Sequence, residues 1–243
     1  MDPVAPDRAK VGVVTPATAL RCFWRTALLL AAVNVARTAG LLWRPWLAAA
    51  LLVGGVAVLA LAARASAADL GLEPGHAGRG LRYGVAACLV VLVVLAVAAA
   101  LPGTSDFLHD SRAEVSAARL GYDVAVIVLV TVIPEELAFR GLLLGSALVL
   151  WRPWRAAVAS SVLFGLWHIA PTLHTMSGNT AVRGLSGSTS GRALVVLGAV
   201  LSTFAAGLAF SWLRLRSRSL AAPALAHVAT NALALTVAWF VVH

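Results

Sequence analysis

The sequence predicts an all-α membrane protein, a polytopic bundle of about seven transmembrane helices with one of them broken near Pro134. Three observations carry this. The 243 residues are 60% hydrophobic and only 12% charged, whereas an ordinary soluble domain is about 45–50% apolar and about 25% charged. Mean hydropathy is +0.90. The apolar segments approach the roughly 20 residues that carry a helix across about 30 Å of hydrocarbon, and none alternates in the short pattern of an outer-membrane barrel. Together these exclude a soluble nucleotide-binding enzyme, a disordered chain and a secreted disulfide scaffold.

Residues 1–20 are polar, contain Pro3, Pro6 and Pro16 and lack periodicity, so they read as a disordered cytoplasmic tail. The next segment, 22–43, carries Arg25, Asn34 and Arg37. It suits a tilted span, an interfacial helix or a signal-peptide core, and a span is favoured because Arg37 stands where small residues would mark a cleavage site. Segments 45–63 and 83–101 contain no charged residue, and 156–170, 193–213 and 219–242 are uncharged through their centres. Each fits one crossing. Residues 121–151 form a longer apolar stretch with Pro134, Glu135, Glu136 and Arg140 in its middle, too long for one straight span at about 1.5 Å per residue. Residues 172–192 are rich in Ser, Gly and Thr and read as a loop. Residues 21–68 form an N-terminal pair of spans and 69–243 the core domain.

The net charge of +9 comes from 18 Arg and one Lys against ten acids. They lie in short groups between apolar segments, which is the pattern that orients a chain in a bilayer rather than a nucleic-acid footprint. With seven crossings, one side receives Arg8, Lys10, Arg21, Arg64, Arg79, Arg82, Arg152, Arg155, Arg214, Arg216 and Arg218, and the other Arg44, Arg112, Arg119, Arg183 and Arg192. The bias puts the N-terminus in the cytoplasm and His243 outside. Cys22 and Cys88 lie far apart in apolar context, where cysteine acts as a small filler rather than a disulfide partner.

An ionisable group inside a span costs about 2.5–3.5 kcal/mol on insertion scales, so each one is a functional candidate. Four places qualify: Glu135 and Glu136 with Arg140, His168, His227 with Asn231, and Asp123 near a span start. Proline suits the first turn of a helix and carboxylates its positive end, so Pro134-Glu135-Glu136 also reads as an ordinary helix start with solvated caps. The apolar residues on both sides favour burial instead. Glu136 and Arg140 are spaced i, i+4 and can pair on one face, which leaves Glu135 on a neighbouring face. Phe164 and His168 share a face near Trp167, and His227 and Asn231 share another. Singly, His168 reads more readily as a core histidine than as a catalyst, and His227 with Asn231 equally well as a helix-bridging pair or as a functional one.

Two carboxylates, an arginine, two histidines and an asparagine on three spans imply a site for activating water. A buried glutamate can take a proton from water, and His with Asn can stabilise a developing oxyanion. A metal held by Glu135, His168 and His227 supplies activated water by another route. The residue types serve both.

The ordered set Glu-Glu-x-x-x-Arg at 135–140, Phe-x-x-x-His at 164–168 and His-x-x-x-Asn at 227–231 resembles the CPBP family, also called the ABI or CAAX-protease family. The resemblance extends over roughly residues 70–242, because Asp69-Leu-Gly-Leu-Glu73 is similar to an element that precedes the core in that family. It implies an intramembrane endopeptidase acting on a peptide or lipidated-protein substrate near its C-terminus, in the plasma (inner) membrane of a bacterium. It implies Glu135 as general base, Glu136 and Arg140 as its orienting partners, and His168 as a contact to water or to the scissile carbonyl. His227 and Asn231 form the oxyanion side, and Phe164 and Trp167 face the substrate. The family is often labelled metalloprotease, so zinc is one expectation and a metal-free glutamate mechanism the other.

Competing mechanisms lack their motifs. No His-Glu-x-x-His occurs, and Gly187-Ser-Thr-Ser-Gly191 places Thr189 where a serine nucleophile would stand. The rivals from other classes are a non-catalytic scaffold or bacteriocin-immunity protein of the same fold, and a proton-coupled transporter. The transporter predicts a second broken segment in a symmetry-related half, which the sequence lacks.

Overall fold

The structure is a computed structural model that describes residues 14–101, 104–176 and 178–243. It is a helical bundle, and six of its helices are long and apolar enough to cross a membrane. Residues 1–13 of the expected tail lie outside the described residues. Helix α1 (Pro16–Thr38) begins inside that expected tail because proline occupies its first turn and the Thr15 hydroxyl accepts the Thr18 N–H. It buries Cys22, Phe23, Leu30 and Val33 while Arg25 and Arg37 stay exposed. The uncertain first segment is therefore a 23-residue helix of span length.

Helix α2 (Pro45–Ala63) is apolar all round, and packing selects one stripe, Ala48, Leu52, Val56 and Ala60, to bury. Ser66 and Asp69 form a reciprocal capping box on the short α3 (Ala67–Leu70). The turn ends at Gly71, whose φ of 73° is a left-handed value that suits glycine. Arg214, buried, donates from Nη2 to the Ala68 and Asp69 carbonyls at 3.1 Å each, and Gly71 O accepts the Leu220 N–H at 2.8 Å. A Cβ on Gly145 would come within 2.6 Å of Asp69 O. The Asp69–Glu73 element thus pins the central helix to the later ones.

Helix α4 (Ala77–Ala100) buries only Gly80 and Gly84. These form a Gly-x-x-x-Gly ridge that lets α4 approach a later helix so closely that a Cβ on Gly80 would strike Ser219 and one on Gly84 would lie 2.6 Å from Leu225. The remainder, including Leu89, Val93 and Val97, is exposed as a face for lipid.

The central run is continuous from α5 (Ala117–Val126) through a π segment (Ile127–Val132), α6 (Ile133–Glu136), a second π segment (Leu137–Leu143) and α7 (Leu144–Leu150). The interruption expected at Pro134 is thus a change of hydrogen-bond register, not a gap. Proline has no N–H to give and its ring crowds the carbonyl four residues earlier. The chain answers by widening just before it, the Ile133 N–H reaching Val128 O. Ala138, Phe139, Leu143, Leu144 and Ala147 are fully buried, which makes this run the centre of the bundle.

Helix α8 (Pro153–Trp167) meets α9 (Ile169–Thr175) at His168. The stretch expected as a loop over 172–192 is partly helical. It holds the end of α9, α10 (Thr180–Arg183) and the start of α11 (Thr189–Ser217), where the Ser188 hydroxyl caps the first turn. Gly165 on α8 and Gly207 on α11 bring those helices together, a Cβ on Gly207 meeting Ser161 at 3.0 Å. The chain closes with α12 (Ala221–Val228), a third π segment (Ala229–Leu233) and α13 (Ala234–Val242). Both cysteines are free.

Candidate active site

The three π segments lie at the candidate residues. Glu135 and Glu136 sit between the first two, Arg140 within the second, His227 just before the third and Asn231 within it. Single wide turns of this kind recur at functional sites because they rotate side chains out of the α-helical register. The Ser160 hydroxyl donates to Phe139 O at 3.0 Å and ties the second wide turn to α8.

Glu136 is the hub. Its Oε1 accepts from Arg140 Nη1 and from His227 Nδ1, each at 2.9 Å. A carboxylate ion-paired with a guanidinium is an acceptor, so His227 Nδ1 carries the hydrogen, and in the neutral ring Nε2 presents a lone pair. That Nε2 points toward Glu135 Oε2 across 3.9 Å. Glu135 is fixed by its other oxygen, which accepts the Trp167 indole N–H at 2.9 Å. Glu135, Glu136, Arg140 and His227 are all at most 4% exposed.

A guanidinium inside a bilayer needs compensation beyond one carboxylate. Arg140 finds it in rings. Its guanidinium carbon lies 3.9 Å from the Phe164 centroid and 5.0 Å from that of Phe210, which suits a cation over aromatic faces. Nε and Nη2 have no hydrogen-bond partner among the described residues. Phe210 also stacks on His227, with centroids 5.2 Å apart.

The structure therefore brings together Glu135, Glu136, Arg140, Phe164, Trp167 and His227. Phe164 and Trp167, expected to face substrate, are buried partners of the site's charged groups instead. His168 is half-buried at the α8–α9 junction, its Nδ1 bonded to Phe164 O at 2.7 Å. Its ring meets the Phe164 ring edge-on, at 4.6 Å between centroids. His227, not His168, is the histidine opposite Glu135. Asn231 is half-buried, one turn beyond His227, with no side-chain hydrogen bond among the described residues. Asp123 pairs with Arg119 at 2.9 Å and belongs to the helix surface.

Sequence reasoning missed Phe210, which looks like any other phenylalanine in an apolar span. It also missed Asn34, whose amide donates to Trp167 O at 3.0 Å and holds the end of α8 against α1. Asn34 did carry a signal, being a polar residue in a span.

Among the described residues, the donors proposed for a metal do not form a ligand set. Zinc takes three protein ligands at about 2.0–2.2 Å in a catalytic site. Here Glu135 Oε2 and His227 Nε2 stand 3.9 Å apart, and no group of three suitable side chains occurs among the described residues.

Residues 118–233, just under half of the chain, match the family described as Rce1-like, type II CAAX prenyl endopeptidase Rce1-like. The matched segment contains Glu135, Glu136, Arg140, His168, His227 and Asn231. Comparison with curated proteins and comparison with solved structures each return no match. Over residues 118–233, the part that builds the buried carboxylate cluster, the chain is similar to the Rce1-like family.

Proposed function

We propose that this protein is an intramembrane endopeptidase that hydrolyses a peptide bond near the C-terminus of membrane-associated or prenylated substrates, using water activated by Glu135. The observation that carries the reading is the pair of acceptors, Glu135 Oε2 and His227 Nε2, facing each other at 3.9 Å. Two acceptors at that separation suit a donor between them, and one water supplies both hydrogens. Its oxygen lone pairs are then left to attack a carbonyl carbon.

In this scheme Glu135 takes a proton from the water as the new C–O bond forms, and the carbonyl oxygen becomes an oxyanion. Asn231, whose amide is uncommitted, donates to that oxygen, and His168 Nε2 contacts the scissile group from the rim. Collapse of the intermediate breaks the C–N bond, and the leaving amine takes the proton from Glu135. Trp167 holds Glu135 in one rotamer. Glu136 sets the His227 tautomer and is itself held by Arg140. General-base catalysis of this kind contributes about 10²–10⁴-fold. The excess of basic residues on one side supports an orientation with the N-terminus in the cytoplasm of a plasma membrane.

The test is mass spectrometry of a mixed library of prenylated and unprenylated C-terminal peptides, incubated with detergent-purified protein and with its Glu135→Ala variant in parallel. Cleavage by the parent alone supports the scheme, and the products report whether the lipid matters. Equal cleavage by both removes Glu135 as the base. No cleavage by the parent favours a non-catalytic scaffold of the same fold.

A further inference from the structure

A cavity of about 550 Å³ lies outside the carboxylate cluster, between the start of α4 and the end of α11. It is lined by Arg79, Arg82, Tyr83 and Ala86 on α4 and by Arg216 on α11. Their spacing along α4 repeats at three and four residues, so they form one stripe facing Arg216. None of these arginines is engaged by an ion pair or a hydrogen bond among the described residues. Of the acids nearest in sequence, Asp69 is committed to the capping box with Ser66, and Glu73 lies 3.2 Å from His76 with no ion pair to these arginines among the described residues. Three exposed guanidinium groups with no acid between them around one open cavity are complementary to an anion.

Guanidinium forks match phosphate oxygens in pairs. The surroundings say how the phosphate arrives. The Tyr83 ring meets Trp212 edge-on at 6.2 Å, and Trp212 is largely exposed, the placement of aromatics at a membrane interface. Beyond them α4 continues as an exposed apolar strip through Val85, Leu89 and Val93. The cavity also lies on the side that collects most of the arginines. We propose that it binds a phosphate-bearing anion presented as a lipid headgroup, with the acyl chains lying along α4. Basic pockets between membrane helices on the cytoplasmic side take anionic headgroups in this way. The inference does not depend on the proteolytic reading.

Native mass spectrometry of delipidated protein tests it, by titration with phosphatidylglycerol, phosphatidylcholine or inorganic phosphate in separate arms. The parent is expected to retain phosphatidylglycerol over phosphatidylcholine. Arg79→Gln/Arg82→Gln/Arg216→Gln is expected to weaken retention about a hundredfold. Arg152→Gln/Arg155→Gln, on the same charged side but outside the cavity, leaves it unchanged. A triple Arg→Lys variant, which keeps charge and fold but loses the fork, recovers only part of the affinity. Inorganic phosphate that binds alone and displaces the lipid supports the anion site and assigns it to a soluble source. Equal retention by the triple Gln variant, full recovery by Lys, or equal loss in the Arg152/Arg155 control overturns the proposal.

Discussion

His227 Nε2 and Glu135 Oε2 stand 3.9 Å apart, too far for a direct hydrogen bond and close enough to share one small donor. Each is held from behind by a different helix, His227 through Glu136 on α6 and Glu135 through Trp167 on α8. The gap is therefore set by the packing of three helices, and changes in any of them register at the same place.

Replacing Trp167 with Phe keeps an aromatic ring against Phe139 and removes only the indole N–H that Glu135 accepts. A hydrogen bond to a charged group is worth about 1.5–3 kcal/mol. The expected result is a fall in kcat of about ten- to a hundredfold with little change in KM or in thermal unfolding temperature. An equal loss in KM would assign Trp167 to substrate contact.

Arg140 is the largest fully buried side chain. Arg140→Met strands Glu136 as an uncompensated buried charge and should cost about 3–5 kcal/mol in stability. Adding Glu136→Leu removes the stranded charge and should restore most of it, although activity stays lost because His227 loses its anchor. Thermal unfolding of the two variants beside the parent measures both steps. Additive losses would show that the pair is not energetically coupled.

The α4–α12 contact rests on the absence of side chains. Gly84→Leu should separate the helices, lower the unfolding temperature and disturb the His227 end of α12 enough to reduce cleavage. Gly78→Leu serves as control, because nothing lies within 4 Å of a Cβ there. Equal stability of the two variants would remove the close packing of α4 as a structural element.

Outside the spans, Arg112 holds the Asp110 carboxyl below its ordinary value of 3.8, chiefly by a side-chain hydrogen bond. Asp110 closes a latch in which the Ser111 N–H donates to Gly178 O at 3.1 Å. Because the folded-state value is depressed, the stabilisation is present above 3.8 and is lost as the pH falls from there through the folded-state value. Amide exchange of residues 107–115, corrected for intrinsic rates, should accelerate over that range in the parent. In Asp110→Asn it should already be fast at neutral pH and flat below.

The absence of a three-donor set among the described residues predicts that cleavage survives treatment with a strong chelator. Inhibition that zinc reverses would show that His168 or another donor moves into the site.

The helical membrane class and the polar residues that the bundle buries together, Glu135, Glu136, Arg140 and His227, were legible in the sequence because each is a local property. Hydropathy over about 20 residues needs no knowledge of neighbours. An i, i+4 spacing places Glu136 with Arg140, and His227 with Asn231, on one face in any helix. The helix start at Pro16 and the turns within 172–192 were hidden because short caps outweigh composition there. Only the tertiary structure decided which histidine faces Glu135, that Trp167 and Phe164 turn inward, and that Phe210 carries both Arg140 and His227. Those outcomes depend on how α6, α8, α11 and α12 cross, and the crossing is set by glycines and by wide helical turns that no single segment specifies. The sequence by itself determined which groups had to be buried; the packing of the bundle determined which of them meet.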